Sequence, residues 1–186
     1  MIESIIMTLL PVVFLTVLFG GGELFRRRNV DMGGDPLIGV VAFSGSKYAI
    51  VAIWTATILH GWGVGLSLAQ VPRPARWLAL GLWVAGFAVL LAGRLELGRS
   101  FRIGRPRERT EMQTGGLFRV SRNPMYLGVF ATLIASVVYT MNPVVLVVAA
   151  LVIAAHHRIV LAEEQHLQAA FGEAYLAYCR QVRRYL

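Results

Sequence analysis

The sequence predicts an all-α integral membrane protein, a bundle of five transmembrane helices followed by a C-terminal amphipathic helix. Three observations carry that prediction. Of 186 residues, 56% are hydrophobic and only 15% charged, with a mean hydropathy of +0.62. A water-soluble domain of this size does not need that much apolar surface, whereas a membrane bundle is apolar on its lipid side as well as inside. The apolar residues also fall into five runs separated by Gly-, Pro- and Arg-rich segments. Finally, basic residues crowd into alternate connections. The length fits one membrane domain, residues 1–186.

The first run, residues 5–22, resembles a signal peptide only in its apolarity. Its leading segment carries Glu3 and no Lys or Arg, no small-x-small cleavage site follows, and Arg26-Arg27-Arg28 stands behind it as a stop-transfer flank. It is therefore the first span, with Pro11 placed to kink it. Residues 29–36 are rich in Gly, Asp and Pro and read as a loop. Residues 37–43 are apolar but too short to span, and are expected at the interface or packed on the bundle. Lys47 precedes the second span, residues 48–70, where Gly61 and Gly65 stand four apart. That spacing suits close packing within the chain or a dimer face, the former being favoured.

Pro72-Arg73-Pro74 ends this segment, and residues 75–93 form the third span, with Trp77 and Trp83 as interfacial or packing aromatics. The basic stretch from Arg94 to Arg122 contains Gly104, Pro106, Gly115 and Gly116, which argue against one continuous helix. Residues 126–141 and 143–162 are the fourth and fifth spans, with Asn142-Pro143 as a tight turn that puts proline at a helix start. At 1.5 Å per residue the fourth covers only about 24 Å, so it crosses steeply or thins the bilayer. Residues 163–186 read as an amphipathic helix with Leu167, Phe171, Tyr175 and Tyr178 on one face.

Charge sets the orientation. With the N-terminus outside, sixteen of the eighteen Lys and Arg residues lie on the inner side, and only Arg73 and Arg76 lie outside. The expected topology is N-terminus out and C-terminus cytoplasmic, in the inner (plasma) membrane of a prokaryote. The net charge of +8 is then a membrane-surface feature and gives no reason to expect a nucleic-acid partner. Cys179 is the single cysteine, so no intramolecular disulfide forms, and no Cys/His cluster has zinc spacing, so no metal is expected.

Polar residues gather in two places that the topology brings to one membrane face. One is Thr114 to Gly128, ahead of and into the fourth span. The other follows the fifth: His156-His157-Arg158, then Glu163-Glu164. Adjacent helical residues point about 100° apart, so one glutamate is expected to face a site and the other solvent or an arginine such as Arg122 or Arg158.

The string Gly116-Leu-Phe-Arg-Val-Ser-Arg122-Asn123-Pro124-Met125-Tyr126-Leu127-Gly128, then Asn142-Pro143, then Glu163-Glu164-x-x-Leu167-x-x-x-Phe171-Gly172-x-x-Tyr175-x-x-Tyr178, resembles the isoprenylcysteine carboxyl methyltransferase family, to which phospholipid N-methyltransferases are related. The resemblance covers residues 97–186, about half the chain. It implies an integral membrane methyltransferase that binds S-adenosylmethionine without a Rossmann fold and acts on a lipophilic small molecule or lipid. By position it puts the cofactor against Thr110, Glu111, Met112, Gln113, Phe118, Asn123, Pro124, Met125, Tyr126 and Glu163. The chemistry is consistent: a carboxylate accepts from the ammonium or ribose hydroxyls, aromatic faces suit adenine and sulfonium, and in-line methyl transfer needs no metal.

Two positions depart from that family. Its usual histidine is Asn123 here, which hydrogen-bonds but is neither a cation nor a base. Ile159 stands where the prenylcysteine enzymes carry a substrate-binding arginine, with Arg158 one residue and about 100° away. The acceptor atom, O, N or S, therefore stays open. His157 and Arg158 are the candidates for a catalytic role; His156 or His157 would suit a general base, against a packed or interfacial histidine. A scaffold or carrier that retains the fold is the competing function, and a haem pair drawn from His60, His156 and His157 is a third reading.

Overall fold

The structure, a computed structural model, describes residues 1–26, 39–97 and 112–186. Its helices are α1 (Ile2–Arg26), α2 (Val40–Gly61), α3 (Arg73–Leu97), α4 (Pro124–Thr140), α5 (Pro143–Phe171) and α6 (Glu173–Gln181), with a short 3-10 turn at Gly116–Arg119 ahead of α4. Four of these, α1, α2, α3 and α5, are long and apolar enough to cross a membrane, and α4 is a shorter apolar helix. The protein is an all-α integral membrane bundle.

Two helices, α2 and α5, depart furthest from the sequence reading. The second span was placed at 48–70, but α2 runs Val40–Gly61. Phe43, Ser46, Ile50, Ile53, Trp54 and Thr57 recur at helical spacing on its buried face, so the turns before Lys47 belong to the helix and Lys47 lies inside it. Gly63, with φ +100°, follows its end, and Gly65 falls in the connection, so Gly61 and Gly65 do not share a helical packing face. The amphipathic helix expected over 163–186 is not one element. Helix α5 continues to Phe171, Gly172 breaks it at φ +55°, α6 follows, and residues 182–186 turn back along the bundle.

The close-packing glycines are elsewhere. A Cβ on Gly86 of α3 would lie 2.8 Å from Thr132 Cγ2 and 2.9 Å from the Gly128 carbonyl, and one on Gly128 of α4 would lie 2.8 Å from the Gly86 carbonyl. In lipid there is no hydrophobic gain from helix association, so such backbone approach supplies much of the attraction. Around this seam, Phe14, Trp54, Trp83 and Phe87 interlock, with the Trp54 and Phe87 rings 4.8 Å apart, and Trp54 Nε1 donates to Thr132 Oγ1 at 3.0 Å. Trp83 is a core residue, fully buried, whereas Trp77 is exposed.

One end of the bundle joins the start of α1, the α2–α3 connection and the α4–α5 turn. Ser4 Oγ donates to the Gly61 carbonyl, Arg76 pairs with Glu3 at 2.7 Å, Ser67 Oγ donates to the Thr140 carbonyl, and Asn142 Nδ2 donates to the Leu66 carbonyl at 2.7 Å. The expected Asn142-Pro143 turn is present: Met141 is left-handed at φ 44°, and Asn142 Oδ1 caps α5 through Val144 N and Val145 N. His60 belongs to this end, bonded to Ser67 and the 64–66 backbone, far in topology from His156 and His157. The opposite end gathers the C-terminus of α3, the 3-10 turn, the start of α4, the later turns of α5, α6 and the final residues. The polar site lies there.

Candidate active site

The loop that reaches the site begins from a capped turn. Gly116 is left-handed at φ +55°, and its Cβ position is filled by the Glu96 carboxylate, which accepts from Leu117 N at 2.9 Å. Only glycine fits there. Phe118 is buried behind this turn, and its carbonyl accepts from Tyr178 Oη of α6. Burial pushes the Tyr178 phenol up to about 12, so it stays a donor at neutral pH. Ser121 Oγ then accepts from Asn123 N and donates to the Arg184 carbonyl, while Arg122 N donates to the Arg183 carbonyl at 2.9 Å. The final residues thus lie as a strap across the start of α4, where Pro124 takes the first helical position.

Helix α5 presents two polar stripes. Residues seven apart on a helix fall on nearly the same face. His156 and Glu163 form the inner stripe. Tyr126 Oη donates to Glu163 Oε1 at 2.8 Å, and the Tyr126 ring meets the His156 ring edge-on at 5.9 Å. Among the described residues, Tyr126 is the hydrogen-bond partner of Glu163. His157 and Glu164 form the outer stripe. Glu164 Oε1 accepts from Arg122 Nε at 3.2 Å and Nη2 at 3.0 Å, and its Oε2 accepts from Arg184 Nε at 3.0 Å and Nη2 at 2.8 Å. Each arginine thus sets two charge-assisted N–H donors on one of the two carboxylate oxygens. The hydrogen bond to Glu164 raises the Arg184 guanidinium above its ordinary value, so it stays a cation. His157 Nδ1 is 2.8 Å from Tyr185 Oη on the strap.

The residues expected at the cofactor are therefore distributed unevenly. Tyr126 and Glu163 come together in one hydrogen bond. Phe118 and Pro124 are buried close by in the chain, and Met112 is partly buried and Gln113 exposed ahead of the turn. Met125 points to α3, against Gly93. Asn123 turns away from Tyr126: its Nδ2 donates to Glu164 Oε1 and the Arg184 carbonyl. Thr110 and Glu111 lie outside the described residues. Arg158 is exposed, and Ile159 is buried at 1% exposure. Of the two glutamates, one takes a site-facing partner and the other two arginines, the division that the 100° helical step requires. The sequence reading missed Glu96, Arg184 and Tyr185. Their contacts are tertiary, with no local spacing to announce them.

A model of the phospholipid methyltransferase family matches residues 74–174, from the start of α3 to the first residues of α6. The chain belongs to the phospholipid methyltransferase family. This is a group of integral membrane methyltransferases related to the isoprenylcysteine carboxyl methyltransferases, as the resemblance implied. No curated protein matches the chain. The matched part of this membrane methyltransferase contains the 3-10 turn, Tyr126, both α5 stripes and Arg122. Lys47, Tyr178, Arg184 and Tyr185 lie outside it.

Proposed function

We propose that the protein transfers a methyl group from S-adenosylmethionine to a lipophilic acceptor that reaches the basic end of the bundle laterally from the bilayer. The observation that carries this reading is the Tyr126–Glu163 hydrogen bond, which sets a part-buried carboxylate beside an aromatic ring inside the part of the chain matched to the family. The donor set suits the cofactor. Glu163 accepts from an ammonium or from ribose hydroxyls, and the Tyr126 and Phe118 rings offer faces for adenine or sulfonium. The bound cofactor supplies an electrophilic methyl on a sulfonium.

The chain's own contribution is positioning and exclusion of water. Tyr126 holds Glu163 in one rotamer, and the arginine clamp on Glu164 fixes the rotation of α5 that presents Glu163 inward. For a neutral amine or hydroxyl acceptor, the proposed proton acceptor is His156, which shares the inner stripe with Glu163 and meets the Tyr126 ring; His157 is held on the outer stripe by Tyr185. The family description names phospholipids, and the acceptor class proposed here is a lipid headgroup amine or hydroxyl. A prenylcysteine carboxylate is disfavoured, since buried Ile159 takes the place of the arginine that would hold it. The site faces the cytoplasm in the proposed orientation, N-terminus out, in a prokaryotic inner membrane.

Calorimetric titration of the detergent-solubilised protein with S-adenosylhomocysteine tests this. Wild type is expected to bind saturably, and Glu163→Ala to lose at least about tenfold in affinity, the scale of a charge-assisted hydrogen bond, while its melting temperature holds. Folded wild type that fails to bind would transfer the weight to a non-enzymatic scaffold or carrier.

A further inference from the structure

Lys47 is an ammonium on a helix that crosses the membrane, outside the part of the chain matched to the family. Ionisable groups within spans are expensive and mark function more often than packing. Its position on α2 is an inward one. Phe43 and Ile50, one turn to either side, are buried, as is the adjacent Ser46. The Nζ lies 3.5 Å from the centroid of the Phe43 ring, a cation–π contact that fixes the ammonium without neutralising it. Helix α2 packs on α5, and Lys47 lies on the half of α2 away from Gly61, toward the end of the bundle that carries the inner stripe of Glu163 and His156. The ion pairs among the described residues join Arg76 to Glu3, Arg122 and Arg184 to Glu164, and Arg180 to Glu173. Lys47 and Glu163 make no such contact. One cation and one carboxylate therefore stand on two packed helices toward the same end of the bundle, with no direct ion pair between them.

We propose that Lys47 and Glu163 together hold a zwitterionic amino-acid group, Lys47 taking its carboxylate and Glu163 its ammonium. This rests on the reading of the site as one for S-adenosylmethionine, and identifies which end of that molecule meets the inner stripe. The charge balance selects the ligand. An anion alone would leave Glu163 repelling it, and a cation alone would leave Lys47 repelling it. A zwitterion gives both partly buried charges a partner, the condition under which such charge is tolerated. Helix α2 then contributes half of the polar recognition, and the segment ahead of the family match belongs to the binding machinery. The adenosine end is left to the aromatic groups at the start of α4.

Two probes separate the roles: S-adenosylhomocysteine, and its decarboxylated analogue, which keeps the ammonium and lacks the carboxylate. Titrations in a maltoside detergent remove zwitterionic lipid as a competitor. Wild type is expected to bind the analogue about tenfold or more weakly than S-adenosylhomocysteine. Lys47→Met, which keeps the aliphatic stem, is expected to bind the two probes alike, with Lys47→Arg restoring the preference. Wild type that binds both probes equally overturns the assignment without any variant. So does Lys47→Met that keeps the wild-type preference, or that weakens both probes by the same factor, which marks a structural role. If wild type binds neither probe, the cofactor reading itself has failed, and this inference falls with it.

Discussion

Two adjacent glutamates divide this molecule into regions of different character. Glu164 faces the strap side of α5, where Arg122 and Arg184 each set two N–H donors on it and Asn123 adds another. Glu163 faces the inner wall, where its hydrogen-bond partner among the described residues is one neutral phenol. The first carboxylate is saturated, and the second keeps acceptor capacity for another donor. A saturated buried charge fastens structure; an unsaturated one costs stability and is retained where something binds. Identity and position in sequence do not separate the two. The partners contributed from α4 and from residues 182–186 do.

The comparison is broken most severely at Glu164. Glu164→Ala leaves Arg122, whose side chain is only 12% exposed, without its anion, and is expected to destabilise the fold by about 3 kcal/mol or more, read as a lowered unfolding midpoint in mixed detergent. A loss under about 1 kcal/mol would mean that the clamp is ornamental. Arg184→Met tests the outer half of the clamp. The Arg184 side chain is 37% exposed, so solvent screens this pair, and the expected loss is about 1 kcal/mol. Glu163→Gln is the smallest in stability and the sharpest in contrast. The unfolding midpoint is expected within about 1 kcal/mol of wild type, while affinity for S-adenosylhomocysteine falls. Equal destabilisation by Glu163→Gln and Glu164→Ala would erase the distinction between the two regions.

Much of this fold is legible in the sequence, and the failures share a cause. Hydropathy and the Asn142-Pro143 signal locate α1, α3, α4 and α5, because each is a local pattern. The start of α2 is misplaced because Ser44, Gly45, Ser46 and Lys47 dilute the apolar run, although their helical spacing puts Ser46 on the buried face. The end of α5 is misplaced because the polar sequence after Ala162 continues the same helix, which only Gly172 interrupts. The α3–α4 seam escapes notice because Gly86 and Gly128 meet across forty-two residues, with no spacing within one helix to reveal it. At the site, Tyr126 and Glu163 follow from the family resemblance, and the split between Glu163 and Glu164 from helix geometry. Asn123 was expected beside Tyr126, and its turn toward Glu164 depends on the Arg184 carbonyl, sixty-one residues away. Nothing local encodes that contact.

The α4–α5 turn has a consequence for biogenesis. The hairpin closes through two residues, Met141 and Asn142, and α4 is shorter than the other membrane helices. Such a pair is suited to leave the translocation machinery as one unit, its short first arm shielded by the longer second. Tyr126 and Glu163 sit toward the open ends of those two arms, only 37 residues apart in the chain. Their hydrogen bond is then a closure within one hairpin, needing no third helix to bring its two groups together.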